Sequence, residues 1–337
     1  MKKGLSFIIA LIILFINVIP ASAQEIPFTL ESEAVILIEE ETGKVLYEKN
    51  AYKRVYPAST TKILTALIAI EYLDPNEIIK VGNEVYSVPL DASKAGHNPG
   101  DEITLKDLLI SLLLPSGNDS AVVIASEVAR KTTGNENLDV NGSIAHFATI
   151  MNEKGKEFGL SNTNFVNPHG YHDDNHYSTA YDLATLTREA FKNPLFKEII
   201  KMSTAEIGTE GNEKEQKLSF KNRNLLLDSK NKDSYYPFAT GVKTGFTNEA
   251  GQCLVASAYK DGMSLIAVVL NNPTSDGRFN EAKALLEYGF QNFKFQNIVT
   301  EGETVTTVDV EKAAPKGPSQ LELVAKTDYK GLLYKED

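Results

Sequence analysis

The segment YPASTTKILTALIAI, residues 56–70, begins with Tyr-Pro-Ala, continues with the three hydroxyl residues 59–61 and Lys62, and ends in an almost unbroken apolar run. The run after Lys62 carries apolar residues on all sides of a helical period, which predicts a helix buried nearly all round. Such a helix needs other elements packed around it. Lys62 at its start is then buried too, and a buried lysine requires a specific reason.

Ser59, three residues before Lys62, supplies a chemical reason. Side chains at this spacing lie on one face of a helix, and a lysine whose pKa is lowered by burial can take the proton of a serine nucleophile. The same spacing recurs at Ser229–Lys232 in a charged loop and at Ser257–Lys260 in a predicted strand, whose side chains alternate between faces. Taken alone, the spacing favours a plainer interpretation, in which Ser59 caps the helix and Lys62 extends to solvent.

Two later segments favour a catalytic role for Ser59 over the plainer interpretation. Ser116-Gly117-Asn118 lies on a predicted connection between helices, and Lys243-Thr244-Gly245 precedes a predicted hairpin, where an ammonium and a hydroxyl could hold a substrate carboxylate. Each has an ordinary structural explanation, the first as a turn and the second as a surface lysine beside a glycine. The three elements together, in this order, predict a serine acyl-transfer site.

Strand patterns lie at both ends of the chain and helical patterns lie between them. Residues 33–39 and 44–48 flank a Glu-Thr-Gly turn, and residues 253–259 and 263–270 flank a Lys-Asp-Gly turn, so each pair predicts a β-hairpin. Helices are predicted over residues 60–73, 105–114, 119–131, 143–158, 179–191 and 280–290. Sequence-distant strands can share one sheet if the helices pack on its faces, which predicts an α/β sandwich.

The two ends of the chain carry different signals. Residues 1–23 contain two lysines, an apolar run and small residues at a cleavage site, which is typical of a secretory signal peptide. We predict a catalytic domain over residues 24–291 and a small β-rich C-terminal domain over residues 292–337, where short β-prone runs begin. That segment is short for an independent core, so it is incomplete or rests on the first domain. The predicted location is extracytoplasmic.

Composition narrows the class of partner. Acidic residues outnumber basic ones by 45 to 34, for a net charge of −11, which argues against nucleic acid as a ligand. Cys253 is the single cysteine, so intramolecular disulfides are excluded. Its neighbours are small and apolar, which predicts a core residue and not a reactive thiol.

The motif set is close to that of class A β-lactamases and penicillin-binding proteins, with Gly117 where that set has Asp. Beyond these motifs, the sequence resembles the low-molecular-weight penicillin-binding proteins of the D-alanyl-D-alanine carboxypeptidase family. Further similar segments are LPSGNDSA (114–121), NPHG (167–170), HYSTA (176–180) and GVKTGFT (241–247), and the resemblance spans about residues 30 to 290. It implies a serine β-lactamase-like transpeptidase domain, in which an antiparallel sheet carries helices on both faces.

The resemblance also implies roles for individual residues. Ser59 attacks the carbonyl between the two terminal D-alanines of a peptidoglycan stem pentapeptide, and Lys62 accepts its proton. The implied set consists of catalytic Ser59, Lys62, Ser116 and Asn118, substrate-binding Lys243, Thr244, Gly245, Phe246 and Arg278, and Asp182 at the rim. The backbone amides of Ser59 and Phe246 form the oxyanion hole. Plainer interpretations stay open for Arg278, as a solvated arginine, and for Asp182, as a helix cap.

The resemblance implies a peptidoglycan stem peptide as substrate, β-lactam antibiotics as covalent ligands, and neither cofactor nor metal. Family members are held on the membrane surface by an amphipathic helix, which is not visible here, so membrane association stays open. The alternatives are a β-lactamase, a D,D-endopeptidase with the same site, and a non-catalytic wall-binding protein. Against the first, the sequence contains no Glu-x-x-Leu-Asn segment of the class A β-lactamase kind. A metal site formed by His169, His172, Asp173, Asp174 and His176 is a further alternative, although no His-Glu-x-x-His occurs.

Overall fold

The computed structural model describes residues 26–209, 216–310 and 318–335, and the predicted signal peptide lies outside them. The strands are β1 (Ala34–Glu39), β2 (Val45–Lys49), β3 (Ile78–Lys80), β4 (Glu102–Thr104), β5 (Thr204–Thr209), β6 (Gln216–Lys221), β7 (Ala239–Thr247), β8 (Gly251–Lys260), β9 (Met263–Asn272), β10 (Phe293–Val299), β11 (Thr304–Asp309), β12 (Gln320–Val324) and β13 (Tyr329–Tyr334). The α-helices are α1 (Lys62–Tyr72), α2 (Leu105–Leu113), α3 (Asn118–Thr133), α4 (Val140–Glu157), α5 (Ala180–Phe191), α6 (Pro194–Ile200) and α7 (Ser275–Asn292).

Five strands form one antiparallel sheet in the order β2-β1-β9-β8-β7, so the first and last predicted hairpins share a sheet. Residues 34–39 of β1 pair with β9 along their whole length and are all buried. Val35 and Leu37 belong to one buried cluster, whereas Ile36 and Ile38 belong to the other. This strand lacks a polar face because both faces of the sheet are covered.

Helices cover both faces of the sheet, as predicted. Helix α7 packs on β8 and β9 on one face, and α5 packs on β1 and β9 on the other. Helix α1 lies behind α5, in contact with α2, α3 and α4 as well. Its buried residues include Lys62, so the prediction of a helix buried nearly all round is confirmed.

The differences from the predicted elements have local causes. Helix α7 begins at Ser275 instead of residue 280, because the hydroxyl of Thr274 accepts a hydrogen bond from the Gly277 amide at 3.1 Å and caps the helix. The short helix α6 was not predicted, although Asn193 at its N-cap and Pro194 at its first position are a known start signal. Small hairpins β3–β4 and β5–β6 lie within the mainly helical part.

The C-terminal segment forms two separate two-stranded ribbons, β10–β13 and β11–β12. Phe293 and Leu332, from the first ribbon, are buried in the cluster that includes α7, whereas every residue of β11 and β12 is exposed. The β10–β13 ribbon therefore rests on α7 and the five-stranded sheet, and the domain boundary at residue 292 stays a prediction. Within the described ranges, the helices are all too short or too polar to cross a membrane.

Candidate active site

Ser59 lies in a short 3₁₀ helix, Ala58–Thr61, that leads directly into α1. The preceding Ala58 has a φ of 47°, in the left-handed region that residues other than glycine rarely adopt. The hydroxyls of Thr60 and Thr61 donate hydrogen bonds to the carbonyls of Pro57 at 2.7 Å and Ala58 at 2.8 Å. These bonds hold the backbone around Ser59, whose own side chain caps neither helix.

Lys62 is fully buried and its ammonium nitrogen has three oxygen neighbours. Nζ lies 2.9 Å from Ser59 Oγ, 2.6 Å from Asn118 Oδ1 and 2.8 Å from the backbone oxygen of His169. Burial holds the pKa of Lys62 well below its ordinary value, and repulsion from the Arg223 guanidinium lowers it further, against the opposing charge of Asp119. Burial and the Arg223 guanidinium therefore weaken the affinity of Lys62 for its proton.

After loss of one proton, the amine would keep two N–H groups and one lone pair for these three contacts. The oxygens of Asn118 and His169 can only accept hydrogen bonds, so they take the two N–H groups. In the structure Nζ is the donor to Ser59 Oγ at 2.9 Å, and loss of that proton would leave the lone pair facing the Ser59 hydroxyl. Lys62 is thus arranged to receive the proton of Ser59.

Asn118 reaches Lys62 because α3 begins at this residue, directly after a tight connection. Ser116 in that connection has a φ of 67° and is almost fully buried. A Cβ on Gly117 would lie 2.5 Å from Ser120 Oγ and 2.8 Å from the Ser111 carbonyl oxygen. This close packing explains why glycine occupies the middle of the Ser-x-Asn element here.

The loop opposite this connection is held by a buried carboxylate. Asp119 accepts hydrogen bonds from the backbone amides of Ala95 and Gly96, both at 2.8 Å. The amide of Asn118 donates to the Ser93 carbonyl at 2.8 Å. Residues 91–97 are thereby fixed along the edge of the cleft that contains Ser59.

Strand β7 supplies the third element and passes close to the 3₁₀ helix. A Cβ on Gly245 would lie 3.0 Å from the Pro57 oxygen and 3.1 Å from the Ser59 nitrogen, so glycine permits this approach. Lys243 is almost fully buried, and burial holds its pKa well below the ordinary value, with repulsion from Lys62, Arg223 and Arg278 adding to the effect. Its Nζ donates to the Thr244 carbonyl at 3.0 Å.

The structure gives different positions to Arg278 and Asp182, the two residues for which plainer interpretations stayed open. Arg278 on α7 reaches the cleft, where Nη1 donates to the Gly245 carbonyl at 3.0 Å, and burial lowers its pKa to about 10. Asp182 does not line the cleft, because its carboxylate accepts hydrogen bonds from the Asn162 amide at 2.8 Å and the Thr163 hydroxyl at 2.7 Å. From the first turn of α5, Asp182 thereby holds the loop that contains Asn162 and Thr163.

The cleft is a cavity of about 560 Å³ above Ser59. Its lining consists of Ser59, Asp91, Ala92, Ser93, Ser116, Asn118, Gly170, Tyr171, His172, Arg223, Thr244, Gly245, Phe246, Thr247, Asn248, Glu249 and Arg278. Lys62 and Lys243 lie beneath this surface. All three sequence elements therefore meet at one cavity.

The histidine cluster separates into different local contacts. His169 Nδ1 accepts a hydrogen bond from the Tyr171 amide at 3.1 Å, His176 Nε2 lies 2.8 Å from Thr61 Oγ1, and His172 lies 3.4 Å from the Asp174 carboxylate. Over residues 26–209, 216–310 and 318–335, no group of three or more His, Cys, Asp or Glu side chains is placed to hold a metal ion. The metal-site alternative therefore has no support from this geometry.

Comparison with known proteins agrees with this arrangement. A family model described as D-alanyl-D-alanine carboxypeptidase matches residues 20–274. The chain belongs to this family. A carboxypeptidase of Bacillus subtilis, DacF, is 35% identical over 85% of this chain and 69% of its own length. DacC of Escherichia coli is 33% identical over 90% of this chain and 73% of its own length.

A solved structure shows the same fold. The crystal structure of a Streptomyces DD-transpeptidase matches with a TM-score of 0.72 and 30% sequence identity, over 78% of this chain and 98% of that one. The chain is thus a D,D-carboxypeptidase of the penicillin-binding type, built on the fold that the sequence predicts.

Three residues that line the carboxypeptidase cavity were not singled out from the sequence for that role. Arg223 lies in the polar stretch before β7, and Tyr171 and His172 follow the NPHG segment. The Tyr171 hydroxyl donates across the cleft to the Asp91 carboxylate, at 3.2 Å from Oδ1. The segment similarity to the family was the one signal near Tyr171 and His172, whereas nothing in the local sequence marks Arg223.

Proposed function

We propose that this carboxypeptidase removes the terminal D-alanine from peptidoglycan stem pentapeptides through an acyl-enzyme on Ser59. The observation that carries the proposal is the fully buried Lys62, whose Nζ lies 2.9 Å from Ser59 Oγ and is held by the oxygens of Asn118 and His169. A serine activated by a neutral lysine is a nucleophile for acyl transfer. The proposed enzyme is accordingly a serine-type carboxypeptidase that uses no cofactor.

Acylation begins when Ser59 Oγ bonds to the carbonyl carbon between the two D-alanines while its proton moves to Lys62 Nζ. The developing oxyanion accepts hydrogen bonds from the backbone amides of Ser59 and Phe246. The closeness of Gly245 to the Ser59 nitrogen, at 3.1 Å for an added Cβ, supports this pairing of the two elements. The C–N bond then breaks, and Ser116 passes the proton from Lys62 to the leaving amine.

The cations beside β7 suit the free carboxylate of the leaving D-alanine. Thr244 and Arg278 line that part of the cavity with Lys243 beneath them, and the Arg278 guanidinium is fixed by its bond to the Gly245 carbonyl. Charge-assisted hydrogen bonds of this kind are stronger than neutral ones. Asn118, on the opposite wall, positions the amide of the substrate.

Water completes the cycle by hydrolysing the acyl-enzyme. The carboxylates that line the described part of the cavity are Asp91 and Glu249. Asp91 is engaged by the Tyr171 hydroxyl at 3.2 Å, and Glu249 lies at 4.0 Å from His172. Neither contacts Ser59 or Lys62, which supports slow deacylation after reaction with a β-lactam and weighs against a β-lactamase.

The proposed partners follow from this chemistry. The substrate is the peptide stem of peptidoglycan, and penicillins are covalent ligands of Ser59. Peptidoglycan lies outside the cytoplasm, and the predicted signal peptide supports an extracytoplasmic location. The catalytic unit is proposed to span residues 24–291, with the C-terminal β ribbons resting on it.

Release of D-alanine from a pentapeptide ending in D-Ala-D-Ala tests the function. Wild-type protein and the Ser229→Ala variant are expected to release D-alanine, because Ser229 begins an exposed Ser-x-x-Lys spacing away from the cavity. Ser59→Ala is expected to release none, and a chelator is expected to change nothing. Activity that persists in Ser59→Ala would overturn the proposal.

The lifetime of the penicillin adduct separates the remaining candidates. Mass spectrometry of intact protein and of its peptides is expected to find one penicillin, bound to Ser59, that persists for many catalytic turnover times of the peptide. Rapid loss of the adduct with release of penicilloate would instead identify a β-lactamase. Cleavage of cross-linked stem dimers in preference to pentapeptides would identify an endopeptidase.

A further inference from the structure

His176 is a buried histidine that the acyl-transfer steps do not use. Its side chain is 2% exposed, and its Nε2 lies 2.8 Å from Oγ1 of Thr61, two residues after Ser59. Its Nδ1 lies 3.2 Å from the amide nitrogen of Val166. The ring of Phe165 packs edge-on against the imidazole, with the ring centroids 5.4 Å apart.

Counting protons assigns one tautomer to this histidine. The single hydroxyl proton of Thr61 is donated to the Ala58 carbonyl at 2.8 Å, so Thr61 Oγ1 must accept from His176 at the other contact. Nε2 therefore carries a proton. Nδ1 carries none, because it accepts from the Val166 amide. Both ring nitrogens are satisfied in this neutral form.

The chain of contacts ends on the peptide bond that precedes the nucleophile. The Ala58 carbonyl and the Ser59 amide belong to one planar group, so fixing the direction of the oxygen also fixes the direction of the N–H. Ala58 needs such support, because its φ of 47° is unfavourable for alanine. Gly170 packs against the same carbonyl, where a Cβ would overlap it.

We propose that His176 is a positioning residue, which holds the Thr61 hydroxyl and thereby aims the Ser59 amide at the oxyanion of the transition state. The inference rests on the proposed function, since it assigns that amide to the oxyanion hole. An oxyanion donor acts mainly in the transition state, so disorder of this peptide lowers the acylation rate and leaves substrate binding nearly unchanged.

Two substitutions of His176 separate positioning from simple packing. Glutamine places an N–H donor where Nε2 lies and can still reach Thr61, whereas asparagine places its oxygen where Nδ1 lies and keeps only the Val166 contact. His176→Asn is expected to slow acylation of Ser59 about 10- to 100-fold with KM within a few-fold of wild type. His176→Gln is expected to stay within a few-fold of wild type in both quantities.

Thr61 offers a matched pair that leaves the histidine unchanged. Thr61→Val removes the hydroxyl at nearly constant volume and is expected to lower the acylation rate as His176→Asn does, and Thr61→Ser is expected to restore it. The double variant Thr61→Val, His176→Asn is expected to be no slower than the slower single variant, because both break one chain of contacts.

Acylation is measured by the rate of fluorescent penicillin labelling, and folding by the midpoint of urea unfolding. Wild-type rates in His176→Asn, equal losses in the two His176 variants, or additive losses in the double variant would each overturn the inference. These results would leave the proposed function intact so long as wild-type protein labels at Ser59. Failure of wild-type protein to label would reject the function itself.

Discussion

Acidification is expected to destabilise this protein through His176. The imidazole accepts a hydrogen bond from the Val166 amide at Nδ1. A second proton on Nδ1 would replace this bond with two N–H donors that face each other. Burial lowers its pKa to about 4, and the charges facing it are Asp173, which raises the pKa, and Lys62 and His172, which lower it further. The folded protein therefore resists protonation at a pH where the unfolded chain binds a proton readily.

The size and sign of the effect follow from these two pKa values. An unfolded histidine has a pKa of 6.5 and the folded one about 4, and each pKa unit corresponds to about 1.4 kcal/mol. Between these values the unfolded state binds more protons, so the free energy of unfolding falls as the pH falls. The stability from neutral His176 is complete above pH 6.5, and about 3 kcal/mol of it is lost on reaching pH 4.

Urea unfolding of wild type and His176→Gln at four pH values between 7 and 4 measures this contribution. Glutamine does not titrate, and the other buried histidines, His97 and His169, are present in both proteins and cancel in the difference. The stability of wild type relative to the variant is expected to fall by about 3 kcal/mol across this range. Parallel stability curves for the two proteins would refute the assignment of a neutral, Nε2-protonated His176.

Three further predictions concern the cleft. Gly117→Ala is expected to lower the unfolding free energy by about 1–3 kcal/mol through overpacking. The control Gly155→Ala in α4, where an added Cβ lies 3.8 Å from its nearest neighbour, is expected to raise the unfolding free energy by up to ~1 kcal/mol. Equal urea midpoints for the two variants would contradict the packing argument. Arg278→Leu is expected to lower kcat/KM about 10- to 100-fold for a substrate with a free C-terminal carboxylate, with little change for its C-terminal amide; equal losses would remove the carboxylate role. Lys62→Arg is expected to abolish penicillin labelling at every pH, because a guanidinium stays protonated, and labelling that recovers in alkali would contradict the role of Lys62 as proton acceptor.

The parts of the fold that were predictable are those whose hydrophobic period is unambiguous. The run after Lys62 is apolar on all sides, and a helix of that kind can only lie in a core. The two outer hairpins were readable because each has β-prone runs on both sides of a turn with glycine. Their union in one sheet followed from the helices between them, which need a surface to cover.

The parts that were missed depend on contacts between distant segments. Arg223 has an ordinary polar neighbourhood in the sequence, and only the packing of its loop against the connection after α2, through the Leu114 carbonyl, brings it to the cleft. Gly117 could be seen as a departure from the usual motif, but its cause is a close approach of Ser111 and Ser120 in space. The short helix α6 carried its start signal, yet a helix of seven residues has too few turns for a clear period.

The distribution of positive charge around the cleft links substrate binding to activation of the nucleophile. The Arg223 guanidinium lowers the pKa of Lys62, and Lys62, Arg223 and Arg278 lower that of Lys243, in each case adding to the effect of burial. The same field attracts the carboxylate of the substrate. In the proposed complex the carboxylate lies beside Arg278 and Thr244, where its charge would offset part of the repulsion and raise the affinity of Lys62 for a proton. We therefore expect the substrate carboxylate to make Lys62 a stronger base at the step where the Ser59 proton moves.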